Sequence, residues 1–149
     1  MNTIQYTAPK PSTIEGWIDD EYFSMFSEQF AKAFSLQCHF AHFLPGMSLV
    51  GLRSWDEFIA VGDGNKVYAV PTVLLSVTYA QPFTMPDISR LEPDRRYTGR
   101  VKWYVKPLLF GGRADEPSNV TWISYEEHAE LVAYWNAMLA NLSHPKDGH

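Results

Sequence analysis

Residues 57–70, with the sequence EFIAVGDGNKVYAV, contain the pattern that decides the fold class of this chain. Two short runs rich in β-branched and aromatic residues, 57–61 and 66–70, flank a Gly-Asp-Gly-Asn segment at 62–65. Gly and Asn readily adopt the positive φ angles that a tight hairpin turn requires. The pattern therefore predicts two paired strands within a sheet that is mainly antiparallel.

Three further strands are expected around this hairpin. They are predicted at Val73–Tyr79, Val101–Val105 and Asn119–Ile123, where β-branched and aromatic residues are again concentrated. Pro71 has no backbone N–H to donate and therefore marks a strand end or a sheet edge. Residues 81–99 contain three prolines and several acids, and they predict a loop with room for one helical turn.

An amphipathic helix is predicted from Asp19 to Leu36. Acidic residues at 19–21 stand at its start, where negative charge favours the positive end of the helix dipole. Apolar side chains then recur at steps of three and four residues, at Phe23, Phe26, Phe30, Ala33 and Phe34.

A second helix is predicted at the C-terminal end. Ser124 and Glu127 have the spacing of a capping box, which starts the helix near Tyr125. We expect this helix to pack across the sheet through a stripe that contains His128, Leu131, Trp135, Met138 and Leu142.

These elements predict an α+β fold, a mainly antiparallel sheet with an N-terminal and a C-terminal helix packed on it. A chain of 149 residues fits one domain of ordinary size, so a single domain over residues 1–149 is expected. Within it, residues 1–13 are predicted to be a mobile leader and residues 143–149 a polar tail.

The charge and the cysteine content narrow the functional classes. The chain has 12 basic and 17 acidic residues, a net charge of −5, without a basic cluster of the kind that contacts phosphates. We therefore expect no direct binding to nucleic acid, whereas a basic protein partner would suit this charge. A lone Cys38 fits a reducing compartment, and no apolar run approaches the ~20 residues of a membrane span. The expected location is the cytoplasm.

The sequence contains no strong match to a metal-binding, catalytic or nucleotide-binding motif. Cys38, His39 and His42 could each ligate zinc, but the partners and spacings of a zinc site are missing from the sequence. A Cys38 nucleophile would need a distant base, and His128 is the only plausible one. The sequence contains no phosphate-binding or dinucleotide-binding glycine pattern either. We therefore predict no catalytic residues, no cofactor and no metal.

Three stretches of the chain together resemble a known group of proteins. They are GLRSWDEFI at 51–59, YAVPTV at 68–73 and VKWYVKP at 101–107, continued by Phe110-Gly111-Gly112, Asn119-Val120-Thr121-Trp122, His128 and Trp135-Asn136. Over residues 44–140 the pattern is similar to small immunity proteins of bacterial polymorphic-toxin and type VI secretion systems, some of them related to the SUKH superfamily. The series from Gly111-Gly112 to Trp135-Asn136 is its more specific part.

The resemblance implies a cytoplasmic protein that binds one cognate toxin and blocks its active site or its substrate entry. Many such toxins are nucleases or nucleotide-modifying enzymes with basic clefts, which would suit a partner of charge −5. Immunity proteins need no chemistry of their own. We expect the aromatic residues of the shared pattern to be structural, namely Trp103, Trp122, His128 and Trp135.

The contact surface is then predicted to lie in loops, where acids coincide with exposed aromatic side chains. The predicted partner-binding residues are Asp56, Asp63, Asp87, Glu92, Asp94, Asp115 and Glu116. Two other hypotheses remain open at this point. One is a regulatory or scaffold module of the SUKH-like type, and the other is a small enzyme whose site includes Cys38 or His128.

Overall fold

The computed structural model describes residues 13–143, with side chains described through Ala140. Within this range no helix combines the length and the apolar character that crossing a bilayer requires. The elements are β1 (Thr13–Ile18), β2 (Glu21–Phe26), α1 (Glu28–Cys38), α2 (Phe40–Phe43), β3 (Ser48–Arg53), β4 (Glu57–Val61), β5 (Val67–Pro71), β6 (Gln81–Pro82), β7 (Val101–Tyr104), β8 (Val120–Ile123) and α3 (Tyr125–Ser143).

The strands form two antiparallel sheets, which confirms the predicted α+β class. Strands β1 to β6 lie in sequence order in a six-stranded sheet, and both α1 and α2 belong to the connection between β2 and β3. Strands β7 and β8 form a separate two-stranded sheet. Every strand pair is antiparallel, as the hairpin pattern predicted.

The six-stranded sheet buries side chains on both of its faces. One face encloses the main core together with α1, α2, α3 and the β7–β8 pair. The opposite face carries a smaller cluster of Ile18, Phe23 and Ile59, which is covered by apolar side chains of residues 83–91. Because both faces are covered, the apolar runs along the strands are nearly continuous.

The N-terminal helix prediction is wrong for its first half, because residues 21–26 form β2. Tyr22 and Phe26 pack into the main core, whereas Phe23 and Met25 pack into the cluster on the opposite face. This period of two, together with backbone pairing to both β1 and β3, outweighs the helical spacing of the phenylalanines.

A tight turn and a helix cap delimit β2. Asp19 adopts a left-handed φ of 55° between β1 and β2, so the acids at 19–21 form a turn and a strand start and do not begin a helix. Helix α1 begins at Glu28. There the Oγ of Ser27 accepts a hydrogen bond from the backbone N of Phe30 at 3.1 Å.

The strand predicted at Val73–Tyr79 is also wrong; the segment is a bend followed by a 3-10 turn at Val77–Tyr79. Asn136 of α3 satisfies the backbone there. Its Oδ1 accepts from the N of Leu75 at 2.7 Å, and its Nδ2 donates to the O of Thr72 at 2.8 Å. A side chain therefore replaces the neighbouring strand that these backbone groups would otherwise need.

The β4–β5 hairpin and the start of α3 agree with the predictions. Val61 pairs with Val67 across the turn, as the Gly-Asn pattern indicated. At the start of α3 the N of Glu127 donates to the Oγ of Ser124 at 3.1 Å, and the Glu127 carboxylate accepts from the N of Ser124 at 3.0 Å. Both results rest on short-range hydrogen bonding, which sequence patterns specify well.

Among the described side chains, the buried stripe of α3 agrees with the predicted one only at His128, and the predicted Leu142 lies outside them. Leu131 and Trp135 are half-buried at its flank, and helix α3 packs against α1 and β7. It reaches the large sheet through His128, whose ring centroid lies 6.3 Å from that of Phe58. Up to Ala140, the buried residues of α3 are Tyr125, His128, Ala129, Val132, Asn136 and Leu139.

The predicted leader and tail fall almost wholly outside the described residues, since 1–12 and 144–149 are not described. Thr13 lies within β1 and Ser143 is the last residue of α3. These two positions therefore belong to regular elements and not to a leader or a tail.

Candidate functional site

A cleft of about 190 Å³ opens at one edge of the main core. Three segments form it: the turn between β3 and β4, the end of β5, and β7 with the loop that follows. Aromatic, proline and aliphatic side chains make up most of its walls, with two acids and one lysine among them. The lining residues are Trp55, Asp56, Glu57, Pro71, Thr72, Val73, Lys102, Trp103, Tyr104, Pro107, Leu108 and Leu109.

The β3–β4 turn presents Trp55 and Asp56 to this cleft. Ser54 and Trp55 both have left-handed φ angles, 47° and 66°, which are uncommon for residues other than glycine. The backbone N of Ser54 donates to the O of Tyr22 at 2.6 Å, and the Trp55 ring stacks on the Tyr22 ring with centroids 4.7 Å apart. A neighbouring strand therefore holds this unfavourable backbone in place, as is typical of functional sites.

Asp56 is the chemically distinctive residue of the cleft. Its side chain is exposed at the surface, yet protein atoms crowd it and raise its pKa from 3.8 to about 6. Desolvation is the main cause and repulsion by Glu57 adds to it, while Lys102 and Arg53 oppose the shift. Glu57 pairs with Arg53 at 3.1 Å, but within residues 13–143 no side chain pairs with the Asp56 carboxylate.

Lys102 brings a positive charge to the cleft. Its Nζ lies 5.5 Å from the centroid of the Tyr104 ring, which is a cation–π contact. No acid in the described part of the chain forms an ion pair with this ammonium group. Lys102 is the cross-strand partner of Trp122, so both side chains leave the β7–β8 pair on the same face.

An apolar rim adjoins the cleft, formed by Trp122, Leu108 and Leu109. Their exposed fractions are 37%, 46% and 57%. The Trp122 ring stacks on Tyr97 at 4.9 Å and meets the edge of Trp55 at 5.2 Å. Trp122 packs on these two rings, as its expected structural role requires, and its exposed part resembles that of residues that anchor interfaces.

The acids predicted to bind a partner are spread over four segments of the chain. Asp56 lines the cleft and directly precedes β4. Asp63 lies at the opposite end of β4, where it begins the turn between β4 and β5. Asp115 and Glu116 lie in the loop between β7 and β8, where Asp115 pairs with Arg113 at 2.8 Å.

The remaining three acids lie in the segment that leads from β6 to β7. Asp87 caps a 3-10 turn, and Glu92 pairs with β1 through its backbone. Asp94 accepts hydrogen bonds from Arg96 and from the indole Nε1 of Trp17, and these bonds hold the pKa of its carboxyl well below the usual value. Asp87, Asp94 and Asp115 thus bond to neighbours within the chain, while Asp56 does not.

The residues considered for metal binding or catalysis differ in their exposure to solvent. His39 and His42 are exposed, but Cys38 is completely buried, and burial raises the pKa of its thiol to about 12. His128 is also completely buried, and desolvation lowers its pKa to about 3. Among residues 13–143 no three His, Cys, Asp or Glu side chains converge as metal ligands would. Cys38 and His128 are thus held in their neutral forms at pH 7.

A second, wider groove of about 760 Å³ lies between α1 and β3. Its walls include Phe26, Leu36 and Met47. The two charged residues that line it, Glu28 and Lys32, pair with each other at 3.5 Å. The groove is larger than the cleft but has no unpaired charge, so the cleft is the better candidate site.

Sequence reasoning found one cleft residue, Asp56, and missed Lys102, Leu108 and Leu109. Lys102 stands in the alternating strand 101–104, where a polar residue at every second position predicts a solvent-facing side. The pair Leu108-Leu109 follows Pro107 in a loop, and adjacent apolar residues in a loop can indicate a protein interface. Neither pattern identifies the other segments that complete the cleft.

No family model, no curated protein and no solved structure matches this chain.

Proposed function

We propose that the protein is an immunity protein, a stoichiometric inhibitor that binds a cognate bacterial toxin in the cytoplasm through the cleft and its apolar rim. The observation that carries the proposal is the combination of an exposed, anchored Trp122 with the exposed Leu108 and Leu109 beside a small cleft. The class of partner is taken from the resemblance of residues 44–140 to immunity proteins.

The dimensions of the cleft support protein binding over small-molecule chemistry. Pockets for cofactors and drug-sized ligands measure ~300–1,000 Å³, and this cleft measures about 190 Å³. A space of that size suits a single side chain projecting from a partner. Tryptophan, tyrosine and arginine are the residues that most often dominate binding energy, and Trp122, Tyr97 and Arg96 stack in series next to the cleft.

Charge supports the same class of partner. The chain has a net charge of −5, and the unpaired Asp56 carboxylate lies at the cleft. A toxin with a basic substrate cleft would therefore be attracted over a distance and held at close range. Inhibition by covering such a cleft requires no catalytic residue in the inhibitor.

The test is co-expression with the toxin domain encoded in the adjacent gene, with cell survival and co-purification as readouts. We expect rescue and a one-to-one complex. Trp122→Ala combined with Leu109→Ala should abolish both. Tyr79→Ala, which removes an exposed aromatic residue away from the cleft, should leave both intact.

Two outcomes would contradict the proposal. If cells die and the wild-type protein forms no complex with the toxin, the function is not immunity, and a regulatory or scaffold role takes its place. If rescue survives the change at Trp122 and Leu109 but is lost with Leu36→Ala, the contact surface is the groove beside α1.

A further inference from the structure

The cleft contains a negative charge that the chain itself leaves unpaired. Glu57, the other acid that lines the cleft, pairs with Arg53 at 3.1 Å, whereas Asp56 has no side-chain partner within residues 13–143. Its carboxylate is also partly desolvated. An unpaired carboxylate that lines a cleft attracts a cationic group of a partner protein.

The residues that line the cleft indicate which kind of cation would bind there. They include three aromatic residues, Trp55, Trp103 and Tyr104, and two prolines, Pro71 and Pro107. A planar guanidinium stacks on aromatic faces, is weakly hydrated and forms two parallel hydrogen bonds with one carboxylate. An ammonium group is more strongly hydrated, so it loses more on entering a cleft with apolar walls.

Backbone geometry holds the receptor residues before any partner arrives. Asp56 follows two residues in the left-handed conformation, and its backbone O accepts from the N of Thr72 at 3.0 Å, which ties the turn to the end of β5. Trp55 is stacked on Tyr22 and is 9% exposed. Little ordering is therefore required on binding, which favours affinity.

We propose that the cleft is the receptor for one arginine side chain of the partner protein, whose guanidinium pairs with Asp56 against the aromatic residues that line the cleft. This assignment rests on the proposed function for the nature of the partner. The cleft can also be tested without that partner, because one side chain is all that it holds.

Lys102 allows the charge of the bound side chain to be tested. Its ammonium group lies against the Tyr104 ring and would repel an incoming arginine. Removing this charge should therefore strengthen the binding of arginine. An acidic side chain would instead pair with Lys102, and its binding would be lost with the same change.

The first experiment uses N-acetyl-arginine N-methylamide as the probe, with the citrulline, lysine and glutamate analogues as comparisons. Binding is followed through the NMR signals of the Trp55 and Trp103 indole groups. We expect saturable shifts with arginine, several-fold weaker binding of lysine and none of citrulline. Asp56→Asn should weaken arginine binding by about tenfold or more, and Lys102→Met should strengthen it several-fold.

Asp63→Asn is the matched control, because it removes the same charge from a turn at the other end of the β4–β5 hairpin. It should change arginine binding less than twofold. Equal shifts with arginine and citrulline would overturn the proposal, as would binding of the glutamate analogue that Lys102→Met abolishes. Asp56→Asn is expected to fold, since no side chain in residues 13–143 bonds to this carboxylate.

Co-purification with the toxin separates this proposal from the immunity function. A toxin complex that forms equally well with wild type and Asp56→Asn would refute the arginine receptor and leave immunity standing. Arginine binding that depends on Asp56, in a protein that neither rescues cells nor binds the toxin, would refute immunity and leave the receptor standing.

Discussion

Replacing His128 with leucine should stabilise the protein at neutral pH and remove part of its sensitivity to acid. His128 is completely buried on α3, and its ring packs between Phe34, Phe58 and Trp103 at centroid distances of 5.7, 6.3 and 5.5 Å. Neither ring nitrogen has a hydrogen-bond partner within residues 13–143. A polar ring thus occupies an apolar position.

The expected gain at pH 7 follows from two opposing effects. A buried polar group without a partner costs about 1–3 kcal/mol. Exchanging an aromatic ring for leucine loses some packing, on the order of 1 kcal/mol. His128→Leu should therefore raise the free energy of unfolding by about 1 kcal/mol at pH 7.

The effect of acid has a definite sign. Burial lowers the pKa of His128 from 6.5 to about 3, so below pH 6.5 the unfolded chain binds a proton that the folded protein does not. Stability is therefore intact above pH 6.5 and is lost as the pH falls towards 3. One such proton removes about 1.4 kcal/mol per pH unit, or roughly 2–3 kcal/mol by pH 4.5. Leucine removes this loss.

The assay is urea unfolding followed by tryptophan fluorescence at pH 7 and pH 4.5. The advantage of His128→Leu over wild type should grow from about 1 to about 3–4 kcal/mol between these pH values. His42→Gln, an exposed histidine on α2, should change by less than about 0.5 kcal/mol at either pH. A variant that is less stable at pH 7 and as acid-sensitive as wild type would refute the reasoning, because it would show that the His128 nitrogens are satisfied.

Two further stability predictions test contacts around β1. Glu15 is a buried carboxylate that accepts hydrogen bonds from two tyrosine hydroxyls, so Glu15→Gln should lower the free energy of unfolding by about 2 kcal/mol. The exposed Glu28→Gln should change it by less than about 0.5 kcal/mol, and equal effects in urea unfolding would contradict this role. Gly16→Ala should cost about 1–3 kcal/mol, because a Cβ there would lie 2.6 Å from the backbone O of Glu92. Gly62→Ala, whose Cβ would meet only side chains, the Tyr68 ring at 3.3 Å and the Met47 Cγ at 3.8 Å among the three nearest atoms, should be nearly neutral by the same measurement.

The elements that the sequence predicted correctly depend on neighbours a few residues away. The β4–β5 hairpin follows from the Gly-Asp-Gly-Asn turn, and the start of α3 follows from the reciprocal bonds of Ser124 and Glu127. In both cases one short segment contains all the interacting groups. The local sequence therefore contains the information that specifies each of these two elements.

The errors arose where distant segments compete. The phenylalanines at 23 and 26 fit a helix, but pairing with β1 and β3 makes them part of a strand. Residues 73–79 have the composition of a strand, yet Asn136, about sixty positions further on, bonds to their backbone at Leu75. Local composition contains no information about such a partner, so tertiary contacts decide the outcome.

The sequence by itself determined the fold class, the acidic charge and Asp56 as a residue of interest, because these depend on composition and short-range pattern. The tertiary structure decided which of the predicted acids bond to other residues of the described chain. Asp87, Asp94 and Asp115 have such partners, and Asp56 has no side-chain partner. The tertiary structure also brought Lys102 and Leu109 to the same cleft as Asp56. Lys102 and Leu109 lie about fifty positions from Asp56 in the sequence, and only folding places these residues around one cleft.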